Sequence, residues 1–401
     1  MHFDFDTVID RRNTNSIKFD CAEEMGKPAD VLPLWVADMD FQCPPSVQAA
    51  LKKASAYGIF GYSKPGTAYD EAVAKWFDSR FHWQIDPSWI CKMPGVVFAL
   101  ANAVRAFTQP GDAILIQTPV YYPFYSVIQK NGRNLVENPL VYANGTYTVD
   151  FEDLEQKISD HQVKMMILCS PHNPICRVWT REELQKVGAI CKKHCVIVVS
   201  DEIHCDFTYP GHDHIPFPVA CPDLQEQCIV CTAPSKTFNL AGLQASNIII
   251  PGEKLRAAFN DEFDRCAASG PNLMGLIACQ AAYEGGEAWL DECKQYIQGN
   301  LDYVRAFLQE NIPQIKLVEP EGTYFAWLDC TELGLNVDEL EDLILHNAKL
   351  WLDDGGMFGE AAGLFQRVVL ACPRAMLQRA MARLYAAVDS LESCPPAKPE
   401  A

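Results

Sequence analysis

VIVVSDEIH, residues 196–204, and CIVCTAPSKTFNL, residues 228–240, decide the fold of this chain. Each opens with an uninterrupted apolar, β-rich run and then turns polar, the pattern of a strand buried on both faces of a sheet. Runs of the same kind surround them: AILIQ from Ala113, KMMILC from Lys164 and SNIII from Ser246. Helical patterns lie between, as at residues 152–158 and 182–193. The region from about Gly95 to Pro251 therefore predicts an α/β domain around a mostly parallel central sheet. Ligands of such sheets gather at the carboxyl ends of the strands.

After Gly286 the pattern changes. A long helix over 287–310, strands near Lys316 and over 323–329, a helix from Val337 and a closing strand and helix from Arg367 predict a smaller α+β domain. The first fifty residues carry Pro33, Pro44 and Pro45 and little periodicity, so they read as an arm and linker. The expected division is 1–50 as arm and part of the small domain, 51–286 as the large domain and 287–401 as the small one. The tail SCPPAKPEA, residues 393–401, is expected to fray.

Composition narrows the partners. The chain has 401 residues, 49% of them hydrophobic and 21% charged, which is globular and long enough for two cores. A net charge of −19 argues against nucleic-acid phosphates and anionic lipid as partners. MHFDFD at the start has no basic-then-apolar signal pattern, and no apolar run reaches the length of a membrane span. The expected compartment is the cytoplasm. The 17 cysteines are odd in number and scattered through apolar runs, so they read as reduced thiols. Cys228 and Cys231 read as small buried side chains of a strand. Cys191, His194 and Cys195, with His212 and His214, lack a second ligand pair at zinc spacing and read as a solvated helix end and loop, leaving no metal site.

Three strand ends carry chemistry. Lys236 follows Asp201 by 35 positions, and Asn173 precedes both in SPHNP, after the Lys164 run. A lysine amine forms a Schiff base with an aldehyde, a carboxylate holds a pyridine nitrogen protonated and an amide bonds a phenolic oxygen. Together they suit pyridoxal 5′-phosphate. Taken singly, each has a structural reading: Asp201 as a helix cap, Asn173 as a turn residue, Lys236 as a surface lysine. Gly95 opens a helix whose Val96 and Val97 amides face an anion, and Ser235 offers a hydroxyl to a phosphate. Tyr121, in TPVYYPFY, reads either as a ring laid over the cofactor or as a packed core aromatic. Arg374, in ACPR, suits a bidentate pair with a substrate carboxylate.

WVADMDF from Trp35, FGYS from Phe60, SPHNP, SDEIH, PSKTFNLAG, GTYFAWLD from Gly322 and ACPR together resemble the pyridoxal-phosphate-dependent C–S lyases of the MalY/PatB type, within the class I/II aminotransferase superfamily. The resemblance runs from the arm at Asp6 to Arg374. It implies the type I fold of pyridoxal-phosphate-dependent transferases, with Lys236 as the Schiff-base lysine, Asp201 at the pyridine nitrogen, Asn173 at the phenolic oxygen and Tyr121 on the ring. It also implies His204 near the cofactor, Arg374 on the substrate α-carboxylate, and Trp35, Ala37 and Asp38 bordering the substrate pocket. Tyr62 would reach the cofactor phosphate of the neighbouring subunit, making a homodimer with shared sites. The implied activity is α,β-elimination on cystathionine or another L-cysteine S-conjugate, giving a thiol, pyruvate and ammonia. An aminotransferase on the same scaffold is the alternative reading, and a cofactor-bound regulator with vestigial activity is the second.

The chain departs from that pattern in places. Ala233 stands where relatives commonly have serine, so a phosphate hydroxyl is missing that Thr232 or backbone would replace. Gln244 stands in place of a phosphate-binding arginine, Cys176 in place of a glycine and Val369 in place of an asparagine. Gln244 leaves more phosphate charge to the helix entry and Tyr62. Cys176 predicts an altered turn, and Val369 a looser Arg374.

Overall fold

The computed structural model describes residues 3–393. The fraying expected of the tail concerns residues that, from Cys394 on, lie outside these. The chain divides into two compact units, one of residues 42–291 with 321–323, the other of the described residues up to Phe41 together with 292–320 and 324–393. The division falls inside the helix Glu287–Asn311.

The larger unit is built on a seven-stranded sheet. Across it lie Ile90–Met93, Ser246–Ile249, Cys228–Thr232, Ile197–Asp201, Met165–Cys169, Ala113–Thr118 and Asn134–Pro139. Ser246–Ile249 alone runs against its neighbours. The Ala113, Met165 and Cys228 strands are buried at every position, which is why they read as continuous apolar runs and not as alternation. Two strands escape the sequence reading for the opposite reason. Asn134–Pro139 closes the sheet edge with Asn134, Glu137 and Pro139 exposed, and Ile90–Met93 is only four residues long.

The helix Val96–Phe107 places Ala99, Leu100, Ala103 and Val104 against the sheet, all without solvent exposure. Spacings of one, four and five keep them on one helical face. Burying a leucine such as Leu100 contributes about 1.5–3 kcal/mol. The described cysteines are free thiols; Cys228 and Cys231 sit wholly inside their strand, where burial raises both thiols.

The solvated reading of two residues does not hold. Cys191 is fully buried on the inner face of the helix Arg181–Lys193, because it continues the apolar stripe of Leu184 and Val187. His214 is buried too, its Nε2 2.9 Å from the Glu202 carboxylate. A polar loop folded over a buried acid looks solvated in sequence, since the acid lies twelve positions away.

In the smaller unit an antiparallel sheet joins Lys316–Val318, Phe325–Asp329, Phe365–Val369 and Asp353–Asp354 in that spatial order. Trp327 stacks on Phe365 at 5.2 Å, and Arg367 is ion-paired to Asp353 inside. The N-terminal residues are more than an arm. Leu32–Pro33 pairs with Leu350–Trp351, and Lys18, with no exposed side chain, reaches Asp40 at 2.7 Å and the Asp38 carbonyl at 3.2 Å. Arg11 joins the same two acids at 2.5 and 2.7 Å.

Removing one member of a buried ion pair leaves its partner charged and dry. Lys18→Met is therefore expected to cost about 3 kcal/mol, less than a full break because Arg11 still reaches Asp40. Urea unfolding at neutral pH measures it; a loss within experimental error would show that Arg11 alone suffices.

Candidate active site

Register brings the strand ends together. Asp201 pairs with Cys169 on one side and Cys231 on the other. Past that line the ladder continues one step, with the Ser170 and Glu202 amides donating to the Asp201 and Cys231 carbonyls at 2.9 Å each. The segments carrying Asn173, Asp201 and Lys236 thus leave the same sheet edge from adjacent parallel strands. The Ala113–Thr118 strand, parallel to Met165–Cys169, delivers Tyr121 there as well. Ile90–Met93 and Cys228–Thr232 both run opposite to Ser246–Ile249 and so share a direction, which puts Gly95 and Val96 at that edge too.

Burial governs the chemistry of Asp201. It is 4% exposed, and its carboxylate accepts a hydrogen bond from the Ile203 amide at 3.2 Å. Desolvation pushes its pKa up to about 7; the Ile203 amide and the Lys236 ammonium pull it back only in part, and Glu202 adds a like charge. A buried carboxylate so short of positive charge fits a site that receives a cationic ring nitrogen. Lys236, half-buried in the one-turn helix Pro234–Thr237, is close enough to act on Asp201 electrostatically.

The surrounding side chains are fixed by the loops that carry them. His172 donates from Nε2 to the Pro119 carbonyl at 2.9 Å, tying the segment bearing Asn173 to the one bearing Tyr121. Burial holds that imidazole down to about 4, so it is neutral. Asn173 is 3% exposed and its backbone N–H donates to Cys169 Sγ at 3.4 Å. Tyr121 packs beside Tyr122 and Phe124, half covered. His204 is buried three positions beyond Asp201. Cys176 takes φ +61°, the left-handed conformation that a glycine adopts without strain.

At the helix Val96–Phe107 no side chain caps the amino end, and Gly95 stands before it at φ +154°. The first-turn amides are thus left for an anion, and Ser235 is half-exposed one residue before Lys236. Thr232 is not the replacement for the missing hydroxyl: its Oγ1 donates to the Asn247 carbonyl at 2.7 Å, within the sheet. Gln244 is exposed at the end of the turn Ala241–Leu243.

The remaining predicted residues come from other segments of the chain. Tyr62 is fully exposed in the segment 58–66, alongside exposed Tyr57, Ile59 and Phe60. Arg374, Trp35, Ala37 and Asp38 belong to the smaller unit. There Arg374 is held firmly, its Nε donating to Asn300 Oδ1 at 2.7 Å and its amide to the Tyr296 hydroxyl at 2.8 Å. Asn300, buried and bonded to the Leu370 and Cys372 carbonyls, supplies what Val369 cannot; the loosening expected there does not occur. Trp35 stacks on Trp351 at 4.2 Å, the Ala37 carbonyl accepts from the Tyr324 hydroxyl, and Asp38 is clamped by Arg11 and Lys18.

Fold and sheet edge define the class, the type I fold of pyridoxal-phosphate-dependent enzymes. The chain belongs to the aminotransferase class I and II family, whose model matches residues 29–384. It is 44% identical to cystathionine β-lyase PatB of Bacillus subtilis over 96% of this chain and all of that protein. Cystalysin from Treponema denticola, whose crystal structure contains pyridoxal 5′-phosphate, superposes with a TM-score of 0.94 at 39% identity, covering 98% of this chain and 100% of that one. The pyridoxal-phosphate-bound C–S lyase from Staphylococcus hominis gives 0.90 at 33% identity, over 97% and 98%.

Proposed function

We propose that this protein is a pyridoxal-phosphate-dependent C–S β-lyase that cleaves cystathionine or related L-cysteine S-conjugates to a thiol, pyruvate and ammonia. The observation that carries the reading is the buried Asp201 carboxylate, short of positive charge and one strand from Lys236; the named activities of similar chains supply the reaction class. When bound, the cofactor supplies an electron-withdrawing ring that stabilises charge developing on the substrate α-carbon. Asp201 keeps the ring nitrogen protonated. Asn173 donates to the phenolic oxygen, Tyr121 covers the ring and His204 lies beside it. Val96, Val97 and Ser235 hold the phosphate.

Lys236 Nζ removes the substrate α-proton, a role that asks for an amine pKa brought down toward 7 to 8 by its surroundings. Arg374 binds the α-carboxylate, and Trp35, Ala37 and Asp38 border the pocket. The bond from β-carbon to sulfur then breaks. A thiolate leaves more readily than an alkoxide because its conjugate acid is stronger, so serine-type substrates are expected to be poorer. Incubation with L-cystathionine and no keto acid should release pyruvate and thiol; turnover only when a keto acid is supplied would instead favour an aminotransferase, the activity after which the family is named.

The proposed working form is a cytoplasmic homodimer in which Tyr62 of the partner subunit reaches the cofactor phosphate. The exposed cluster of Tyr57, Ile59, Phe60 and Tyr62 supports it, since apolar patches of this kind are usually covered. A mixing experiment tests the sharing. Lys236→Ala and Tyr62→Ala chains, each inactive alone, should regain about a quarter of parental activity when co-expressed, because half the random dimers carry one intact site of two. Failure to regain any would mean that Tyr62 serves the site of its own chain and not that of the partner.

A further inference from the structure

Asp206 is used by nothing described above, yet it is 4% exposed and heavily engaged. Its Oδ2 accepts from the Thr237 hydroxyl at 2.7 Å. Its Oδ1 accepts from Trp76 Nε1 at 3.1 Å and faces Arg80 Nε at 3.6 Å. Arg80 is in turn paired with Glu287 and Asp291 at 3.2 and 2.9 Å. All these residues lie in the larger unit, and Trp76 and Arg80 come from one helix, Thr67–Phe81.

Thr237 is the residue after Lys236 and ends the single turn Pro234–Thr237. A turn this short has little helical hydrogen bonding to fix its rotation, so a side-chain anchor decides where the lysine Cα–Cβ bond points. Asp206 provides that anchor from the segment that begins at Asp201. The carboxylate that faces the ring and the amine that takes the proton are thereby referred to one stretch of six residues. The guanidinium of Arg80 keeps the Asp206 charge compensated, which leaves the bond to Thr237 as its directional contribution.

We propose that Asp206, through the Thr237 hydroxyl, is a positioning residue that sets the reach of Lys236 Nζ. This rests on the reading of Lys236 as the proton-transfer base. Small errors in placing a reacting group are costly in rate while leaving substrate affinity intact.

The test uses the holoenzyme and Thr237→Val, which removes the hydroxyl at constant shape, with Thr237→Ser as rescue and Asp206→Asn as an independent second variant. For Thr237→Val we expect kcat on L-cystathionine to fall about ten-fold, KM to stay within about two-fold and the kinetic isotope effect with α-deuterated substrate to rise. Uptake of pyridoxal phosphate by the cofactor-free variant, followed by absorbance, should slow alongside. Thr237→Ser should recover kcat and the isotope effect. Parental kcat and isotope effect in Thr237→Val, or Thr237→Ser as impaired as Thr237→Val, would overturn the proposal. Lys236→Ala separates the two readings: turnover surviving in it sinks the role of the lysine itself, whereas its loss beside an unaffected Thr237→Val sinks only the anchor.

Discussion

Lys236→Ala is expected to lower kcat/KM for pyruvate release from L-cystathionine by on the order of 10⁴-fold, the largest effect of any single substitution in this chain. The amine is both the attachment point of the cofactor and the base at the α-carbon, so its loss removes two functions together. Neither is easily replaced by solvent. Water at a strand end with a buried carboxylate has no comparable basicity, and Asp201, drawn up to about 7 by burial, faces the ring nitrogen in the proposed arrangement. Small alkylamines added in solution should restore part of the proton transfer, which a folding defect would not allow. The stability of the chain should change little, because Lys236 is half-exposed and ends no apolar stripe. Activity within ten-fold of the parent would mean that another group takes the proton, and the site would need a different base.

The legible part of this architecture is the part set by local pattern. Continuous apolar runs predicted five of the seven strands, because burial on both faces removes any need for polar positions. The edge strand Asn134–Pro139 half faces solvent and so resembles a loop. Asp201, Asn173 and Lys236 could be found in sequence because each directly follows such a run. Asp206 could not: its partners Trp76 and Thr237 lie 130 and 31 positions away, and nothing near it marks it as buried. The same holds for Asn300, whose bond to Arg374 spans 74 positions. Lys18 and Arg11 were hidden differently. They sit in short polar runs that read as linker, yet they clamp the WVADMD segment through Asp38 and Asp40. Strand patterning reports what is buried on average; it says nothing of which charge finds which.

Asp201→Asn should move activity and stability in opposite directions. In the holoenzyme it removes the anion facing the ring nitrogen, and loss of such a preorganised electrostatic partner costs about 10²–10³-fold in kcat. In the cofactor-free protein the same carboxylate is a liability. Its pKa is raised by burial from 3.8 to about 7, so the folded chain prefers it protonated while the unfolded chain does not. Stability from this group is therefore complete below about pH 4 and is lost as pH rises toward about 7. A shift of that size corresponds to a loss of about 4 kcal/mol. Asparagine keeps an oxygen for the Ile203 amide and carries no charge, but its buried NH₂ lacks an acceptor and costs about 1–3 kcal/mol. Above pH 7 the cofactor-free variant should therefore be more stable than the parent by roughly 1–3 kcal/mol, and near pH 4 it should be less stable. Chemical denaturation of both proteins across that range, with and without pyridoxal phosphate, resolves the crossing. Parallel curves would mean that Asp201 is already compensated without cofactor, which would remove the observation on which the assignment of the site rests.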